Sequence, residues 1–230
     1  MTVEDYLKGQ VLLIDKPLGW TSFQVVNKIR WHIKQQFDLK KIKVGHAGTL
    51  DPLATGLLII CTGKETKKIA TYQGQIKEYR GTFTLGASTP SYDLETAINK
   101  TYPIDHITKE LLIKATQNFM GEIDQKPPLF SAIKKDGKRL YEFARKGELT
   151  DIALRKITIS AFELKKIKMP QVDFKVVCSK GTYIRSLAYD YGLSLNSGAY
   201  LSALRRTKIG DFSIKNALSI PQFIKQLEMA

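Results

Sequence analysis

Cysteine, histidine and acidic side chains are all scarce in this sequence, and no apolar run is long. Two cysteines in 230 residues, Cys61 and Cys178, cannot form a disulfide framework. Each sits in a short apolar run and reads as a small buried hydrophobe in a strand. The three histidines, His32, His46 and His106, are scattered, and no ligand pair has zinc spacing, so no metal is expected. The longest apolar run, Leu57 to Cys61, falls far short of the ~20 residues that span a bilayer. The opening MTVEDYLKGQ lacks the basic segment and apolar stretch of a secretory signal. A soluble, cytoplasmic protein without a membrane partner is expected. Acids number 22 against 36 lysines and arginines, a formal charge of +14. That field favours a polyanion, nucleic acid or an acidic membrane surface. The plainer reading is a solvated basic surface.

The apolar residues that are present make up 43% of the chain, enough for a sizeable core. Gln10 to Asp15 reads as a buried strand closed by Lys16-Pro17 and Gly19. Thr21 or Ser22 caps a helix whose Phe23, Val26, Ile29, Ile33 and Phe37 share one face. Lys28, Arg30, Lys34, Lys40, Lys41 and Lys43 follow on its other face and the next loop, opposed only by Asp38. A Gly-rich loop, Gly45 to Gly56, leads into a strand from Leu57 to Thr62, and 65–72 reads as a short helix. Tyr79, Gly81, Phe83 and Leu85 alternate as in a strand, and Thr108 to Met120 reads as an amphipathic helix stopped by Gly121. Residues 125–147 carry seven basic and two acidic residues, net +5, with Phe130, Tyr141, Phe143 and an Asp136-Gly137 turn signal. Such a basic, aromatic excursion suits RNA contact. Leu154 to Lys168 and Val172 to Cys178 read as paired strands, a short helix follows Gly181, and Ile209 to Ile214 reads as a strand. Ser219 and Gln222 form a capping box with Pro221 in the first turn. Helices and strands mix without βαβ regularity, which predicts an α+β fold on a largely antiparallel sheet, one domain over 1–230 with an insertion at about 125–147.

The string GHAGTLDPLATG, Gly45 to Gly56, stands out chemically. Three glycines free the backbone, and Pro52 biases Asp51 away from helix. A carboxylate presented on such a loop is ionised at neutral pH and can attack an electrophilic carbon without a general base. The plainer reading of Asp51 is a turn residue bonding its own backbone. Gly56, Gly63 and Lys64 do not make a phosphate loop: the spacing is wrong, Glu65 replaces the hydroxyl residue, and an apolar strand intervenes. A second string, SKGTYIRSL from Ser179 to Leu187, offers Arg185 as a partner for a carboxylate and Tyr183 as a stacking surface.

These strings carry a resemblance. GHAGTLDPLATGLL resembles the catalytic motif of the TruB-type pseudouridine synthases, and DKPLGWTS, Asp15 to Ser22, resembles their N-terminal signature. KEYRGTFTLG is similar to the family's tyrosine-bearing strand, and STPSYDLET to the loop after it. QKPPLFSAIKKDGKRLYEFARKG is similar to the segment that clasps the tRNA arm, and CSKGTYIRSL and Leu204 to Arg206 complete the set. The matches keep chain order and cover most of 10–210. The resemblance implies roles position by position. Asp51 would be the nucleophile and Arg185 the arginine paired with it. Tyr79 would stack on the target uracil, Tyr183 and Leu204 would line its pocket, and His46 would fill the space left by the flipped nucleotide. It also implies a mixed sheet flanked by helices and loops, a protruding RNA-contacting insertion, a substrate uridine at position 55 in the tRNA T loop, and no cofactor.

One departure stands out. Bacterial members usually continue into a small RNA-binding domain of the PUA kind, and here one helix after the last strand ends the sequence at Ala230, so that domain is expected to be absent. Recognition would then rest on the basic helix at 22–37, the loop at 40–46, the excursion at 125–147 and Arg205-Arg206, in a protein expected to be monomeric. Two alternatives compete: a synthase acting on another RNA, and a non-catalytic RNA-binding or RNA-folding protein on the same fold.

Overall fold

The computed structural model describes residues 1–131, 133–135, 137–148 and 150–229. The chain forms two compact units: Met1–Tyr79 with Leu204–Ala230, and Arg80–Ala203.

The first unit opens with α1 (Val3–Lys8), β1 (Val11–Lys16) and α2 (Ser22–Gln36), then β2 (Val44–His46) and β3 (Ala54–Thr62). A 3-10 turn at Gly63–Lys68 runs into α3 (Ile69–Gly74) before β4 (Lys77–Leu85), which continues into the second unit. β3 is the centre. It pairs antiparallel with β1 and β2 and parallel with β12 (Ala199–Ile209), whose second half returns to this unit. Leu58 and Ile60 face one core with Leu12, Ile14, Val25, Ile29 and Ile33, while Leu57, Ile59 and Cys61 face another with Ala47 and Ile209. Burial on both faces is why this strand reads as an unbroken apolar run. α2 begins where Thr21, not Ser22, makes the capping box with Gln24. Its buried stripe is Ser22, Val25, Val26, Ile29 and Ile33. Phe23, expected on that face, is instead 62% exposed, because residue 23 lies 100° round the helix from Ser22.

The second unit runs through β5 (Ala87–Ser88), β6 (Lys100–Thr101), α4 (Lys109–Gln117) and β7 (Gly121–Gln125). A small hairpin, β8 (Lys134–Lys135) and β9 (Lys138–Arg139), precedes α5 (Leu140–Arg145). Asp136 of the expected turn lies outside the described residues; Gly137 has the positive φ, 79°, that such a turn needs. Then come β10 (Arg155–Lys168), β11 (Gln171–Cys178) and α6 (Ile184–Ser194), with strand order β4-β11-β10-β7. The core is aromatic: Phe83 stacks on Phe174 at 4.0 Å, and Phe162 and Tyr191 close round them, the Tyr191 hydroxyl donating to the Leu112 carbonyl.

Back in the first unit, β13 (Phe212–Ser213) pairs with β12, and β14 (Leu218–Ser219) pairs parallel with β1. α7 (Ile220–Glu228) packs Phe223 and Leu227 into the α2 core, capped by Ser219 and Gln222. Within the strand expected at 209–214 the structure has the end of β12 at Ile209, a turn, and the short β13 at Phe212–Ser213; the long strand, at 199–209, was not expected. Its apolar pattern is broken by Arg205 and Arg206, which hid it. The sheet is mixed and the class α+β, as expected. Among the described residues no helix is long and apolar enough to cross a membrane.

Gly56 shows how tightly β3 and β12 approach. Its φ is 106°, and a Cβ there would lie 2.3 Å from the Arg206 carbonyl oxygen. Gly56→Ala is expected to cost about 3 kcal/mol by urea unfolding, since both backbone strain and a backbone clash must be relieved. Gly74→Ala, where nothing stands within 4 Å, should change stability by less than about 1 kcal/mol.

Candidate active site

The loop from Ala47 to Leu53 has little regular pairing of its own, yet several of its backbone groups are held from outside it. Ser22 Oγ accepts from the Leu50 amide at 2.8 Å and donates to the Leu50 carbonyl at 3.0 Å. The Gly19 amide donates to the Pro52 carbonyl at 2.8 Å, and the Ala54 amide to the Asp51 carbonyl at 3.0 Å. Arg206, only 1% exposed, donates from Nε to the Leu57 carbonyl and from a terminal nitrogen to the Gly48 carbonyl, at 2.8 and 2.9 Å. Asp51, half-buried, therefore sits on a segment held on both sides by side chains and backbone from β12 and from the stretch before α2. Held backbone is what a reacting group needs if its geometry is to be fixed before substrate arrives.

Lys16 completes the clamp. Period-2 alternation puts it on the buried face of β1 after Leu12 and Ile14. Its ammonium donates to the carbonyls of Trp20 (2.6 Å), Pro17 (3.0 Å) and Pro52 (3.5 Å). Burial pulls its pKa down to about 8, the negative charge of Asp51 acts against that fall, and the neighbouring Arg206 adds to it. Arg205, beside it in sequence, forks onto Asp15 with contacts of 3.1 and 2.6 Å. The expectation that Arg205 and Arg206 contact tRNA together is thus overturned for Arg206: its guanidinium is inside, spent on carbonyls.

The other sequence-predicted residues of this unit lie on β2, β12 and β4. His46 ends β2 opposite Ile60. Burial, then the charge of Arg206, lowers its pKa, so the ring is neutral at pH 7, and Nδ1 is buried with no hydrogen-bond partner among the described residues. Leu204 pairs with Ala54, three residues after Asp51. Tyr79 is buried in β4.

The second unit places Arg185 and Tyr183. Tyr183 N-caps α6, and the buried Gln125 side chain grips its backbone twice, accepting from its amide at 2.8 Å and donating to its carbonyl at 3.1 Å. Ser186 Oγ donates to the Lys126 carbonyl at 2.7 Å. Arg185, in the first turn of α6, is buried. Its Nε lies 3.7 Å from Asp93 Oδ2, and a terminal nitrogen donates to the Ser91 carbonyl at 3.3 Å. Asp93, also buried, accepts from the Glu95 amide at 3.0 Å. An arginine–aspartate pair this deep keeps both charges only because each is hydrogen-bonded as well.

Sequence reasoning missed Lys16, Ser22, Arg206, Gln125 and Asp93. Lys16 was detectable, since strand alternation carried one step further buries it. Asp93 had a fainter signal: Ser88, Thr89, Ser91 and Thr96 crowd round it, a density of short hydroxyls typical of side-chain-held loops. Among the described residues no group of His, Cys, Asp and Glu could hold a metal ion.

Lys16→Met should weaken the fold and should do so more at alkaline pH. The folded pKa lies below the unfolded one, so the unfolded chain binds more protons between about 8 and 10.4, and the native protein gains relative stability as pH rises through that window. Between pH 7.5 and 9.5 the advantage of the parent over the variant in urea unfolding is expected to grow by about 2 kcal/mol. A gap independent of pH would place the ammonium in water.

Comparison with known proteins identifies the family. Residues 34–184 match the model of the TruB family pseudouridylate synthase (N terminal domain). The chain is 63% identical over 229 residues to tRNA pseudouridine synthase B of Flavobacterium johnsoniae, covering 99% of this chain and 100% of the relative. It is 55% identical to tRNA pseudouridine synthase B of Phocaeicola vulgatus, covering 97% and 95%. Among solved structures it resembles a chain in the crystal structure of a Cbf5-Nop10-Gar1 complex, with TM-score 0.73 and 30% identity over 98% of this chain and 56% of that one. A chain in an H/ACA RNP bound to a substrate RNA containing 2'-deoxyuridine gives TM-score 0.70 at 27% identity, over 98% and 55%. The present chain thus spans little more than half of those two. With its conserved-length match to full bacterial relatives and a family model covering most of the chain, the protein belongs to the TruB family of pseudouridylate synthases.

Proposed function

We propose that this chain isomerises uridine to pseudouridine in tRNA, at position 55 in the T loop, by base flipping and nucleophilic attack from Asp51. The isomerisation of tRNA uridine rests on the full-length likeness to proteins named tRNA pseudouridine synthase B. The observation that supports Asp51 as the reacting group is its half-buried position on a loop fixed by Ser22, Lys16 and Arg206.

The reaction breaks the bond from N1 to C1′ and forms one from C5 to C1′. C5 loses its proton and N1 gains one, so no redox partner or energy source is needed. The Asp51 carboxylate bonds to the base or to the sugar, then leaves, and either route keeps the balance. Arg185 serves as the guanidinium partner of that carboxylate, and Asp93 orients Arg185. Tyr79 stacks on the flipped uracil, and Tyr183 and Leu204 line its pocket. A neutral His46 is suited to fill the vacated space, because an uncharged ring loses less on leaving water than an imidazolium would. Extruding a base costs on the order of a few kcal/mol, offset by such stacking and filling.

The RNA footprint takes in the outer face of α2, where Lys28 lies over the exposed Trp31, and the exposed Lys40, Lys41 and Lys43. It also takes in the segment at 125–147, where Arg139 and Arg145 flank Tyr141. The chain acts as one catalytic domain and as a monomer, in the cytoplasm.

Asp51→Asn should abolish turnover while leaving tRNA affinity within about threefold, since shape is kept and only the nucleophile is lost. Tritium release from C5-labelled tRNA measures the first and filter binding the second. Turnover near the parent rate would move the chemistry to another residue.

An isolated T-arm stem-loop should be modified within about tenfold of whole tRNA in kcat/KM, or ~1.4 kcal/mol. A stem-loop with its loop fold disrupted should be poor, because shape and splayed bases carry recognition. A preference for whole tRNA by orders of magnitude would require contacts far from the T arm.

A further inference from the structure

We propose that the stacked pair Tyr92–Tyr189 is a positioning device that fixes Ser91 and Asp93 around the Arg185 guanidinium. The inference rests on the reading above that Arg185 takes part in the reaction.

Tyr92 holds φ at 64°, the left-handed region, where a bulky L side chain is an outlier. Strain of this kind persists only when the surroundings over-determine it. Here they do. The Tyr92 amide donates to the Thr89 carbonyl at 3.1 Å, and its carbonyl accepts from the Leu201 amide at 2.9 Å. The ring lies on Tyr189 at 4.1 Å between centroids and 18° between planes. Glycine would take this φ freely, yet the chain spends a tyrosine here, and what the tyrosine adds is the stack.

The stack matters because of what flanks it. Two groups on the Arg185 guanidinium, the Ser91 carbonyl at 3.3 Å and the Asp93 carboxylate at 3.7 Å, come from the residues immediately before and after Tyr92. The torsion at Tyr92 therefore sets the spacing between them. Tyr189 and Arg185 stand four apart on α6, neighbours on one helix face. One helix thus grips the loop twice: by a ring on the Tyr92 ring, and by a guanidinium on the atoms either side of it. Thr89 and Ser91 hydroxyls hold the Asp93 carbonyl at 2.6 and 3.3 Å, and the Glu95 amide holds its carboxylate, so little else in the loop is left to adjust. Both phenols stay protonated in the working range, Tyr92 pushed up to about 12 and Tyr189 also upward, chiefly by burial. The pair contributes geometry, not protons.

The test measures kcat, KM for tRNA and the melting midpoint on the full chain, assayed well below that midpoint. Tyr92→Phe and Tyr189→Phe keep the stack and should stay within about twofold of the parent. Tyr92→Gly relieves the φ but removes the ring, and Tyr189→Leu removes the other ring. Each should lower kcat by at least about tenfold with KM within about threefold, the split expected when only the transition-state arrangement is lost. Because the two rings act as one unit, the double variant should be no slower than the worse single by more than about threefold. If Tyr92→Gly does not fold, Tyr92→Leu replaces it with the same expectation. Arg185→Lys is the reference, since lysine cannot offer the planar fork. Parent-like kcat in the ring-removing variants with Arg185→Lys inactive overturns the positioning role and leaves the function standing. Multiplying effects of the two single changes overturn it as well. Parent-like activity of Arg185→Lys removes the reading beneath it.

Discussion

The hydrogen bonds that side chains give to the backbone of the Asp51 loop are the constraint on which the first unit depends. A segment rich in glycine and bounded by proline cannot make a ladder, so its carbonyls would face a dry interior unanswered, at a cost of about 1–3 kcal/mol each. Arg206, Lys16 and Ser22 answer them. This explains two oddities at once: a buried lysine ending an otherwise apolar strand face, and a fully buried arginine in a central strand. It also explains why Gly56 must be glycine, since β12 can deliver Arg206 to the Leu57 carbonyl only by passing close against β3.

Two buried cations near each other are costly, and the direction of the Lys16 shift shows it. Burial and the charge of Arg206 both favour the neutral amine, while Asp51 alone among the named influences favours the ammonium. The carboxylate is therefore part of the electrostatic balance of its own support. The negative charge of Asp51 favours the ammonium of the lysine that holds the Pro52 carbonyl.

Much of this was legible in the sequence. The doubly buried β3, the capped α2, the β10–β11 pair and the capping box of α7 follow from periodicity and turn chemistry. The failures share a cause. β12 went unseen because its buried position 206 is an arginine, and a pattern search credits only apolar residues as buried. Phe23 was placed inside because apolar type was taken for direction, whereas Ser22, a short polar residue with a backbone partner, holds the buried position. Asp93 and Gln125 were invisible because their partners lie about 60 to 90 residues away in the chain, and spacing says nothing about such meetings. Polar residues that serve the backbone are the ones sequence patterns misread.

The same distinction changes what the formal charge of +14 means. Lys16, Lys77, Arg185 and Arg206 are buried, against Asp93 among the buried acids. These cations hold carbonyls or carboxylates and offer nothing to a phosphate, so they cannot release counterions when RNA binds. Exposed lysines do follow α2, at Lys40, Lys41 and Lys43, where the stretch carries a single acid, Asp38. That stretch runs from the helix whose first residue holds Leu50 to the strand that ends at His46. Of the buried cations, Lys16 and Arg206 hold the Asp51 loop, while Lys77 holds the carbonyls of Gln73 and Gln75 and Arg185 holds the Ser91 carbonyl.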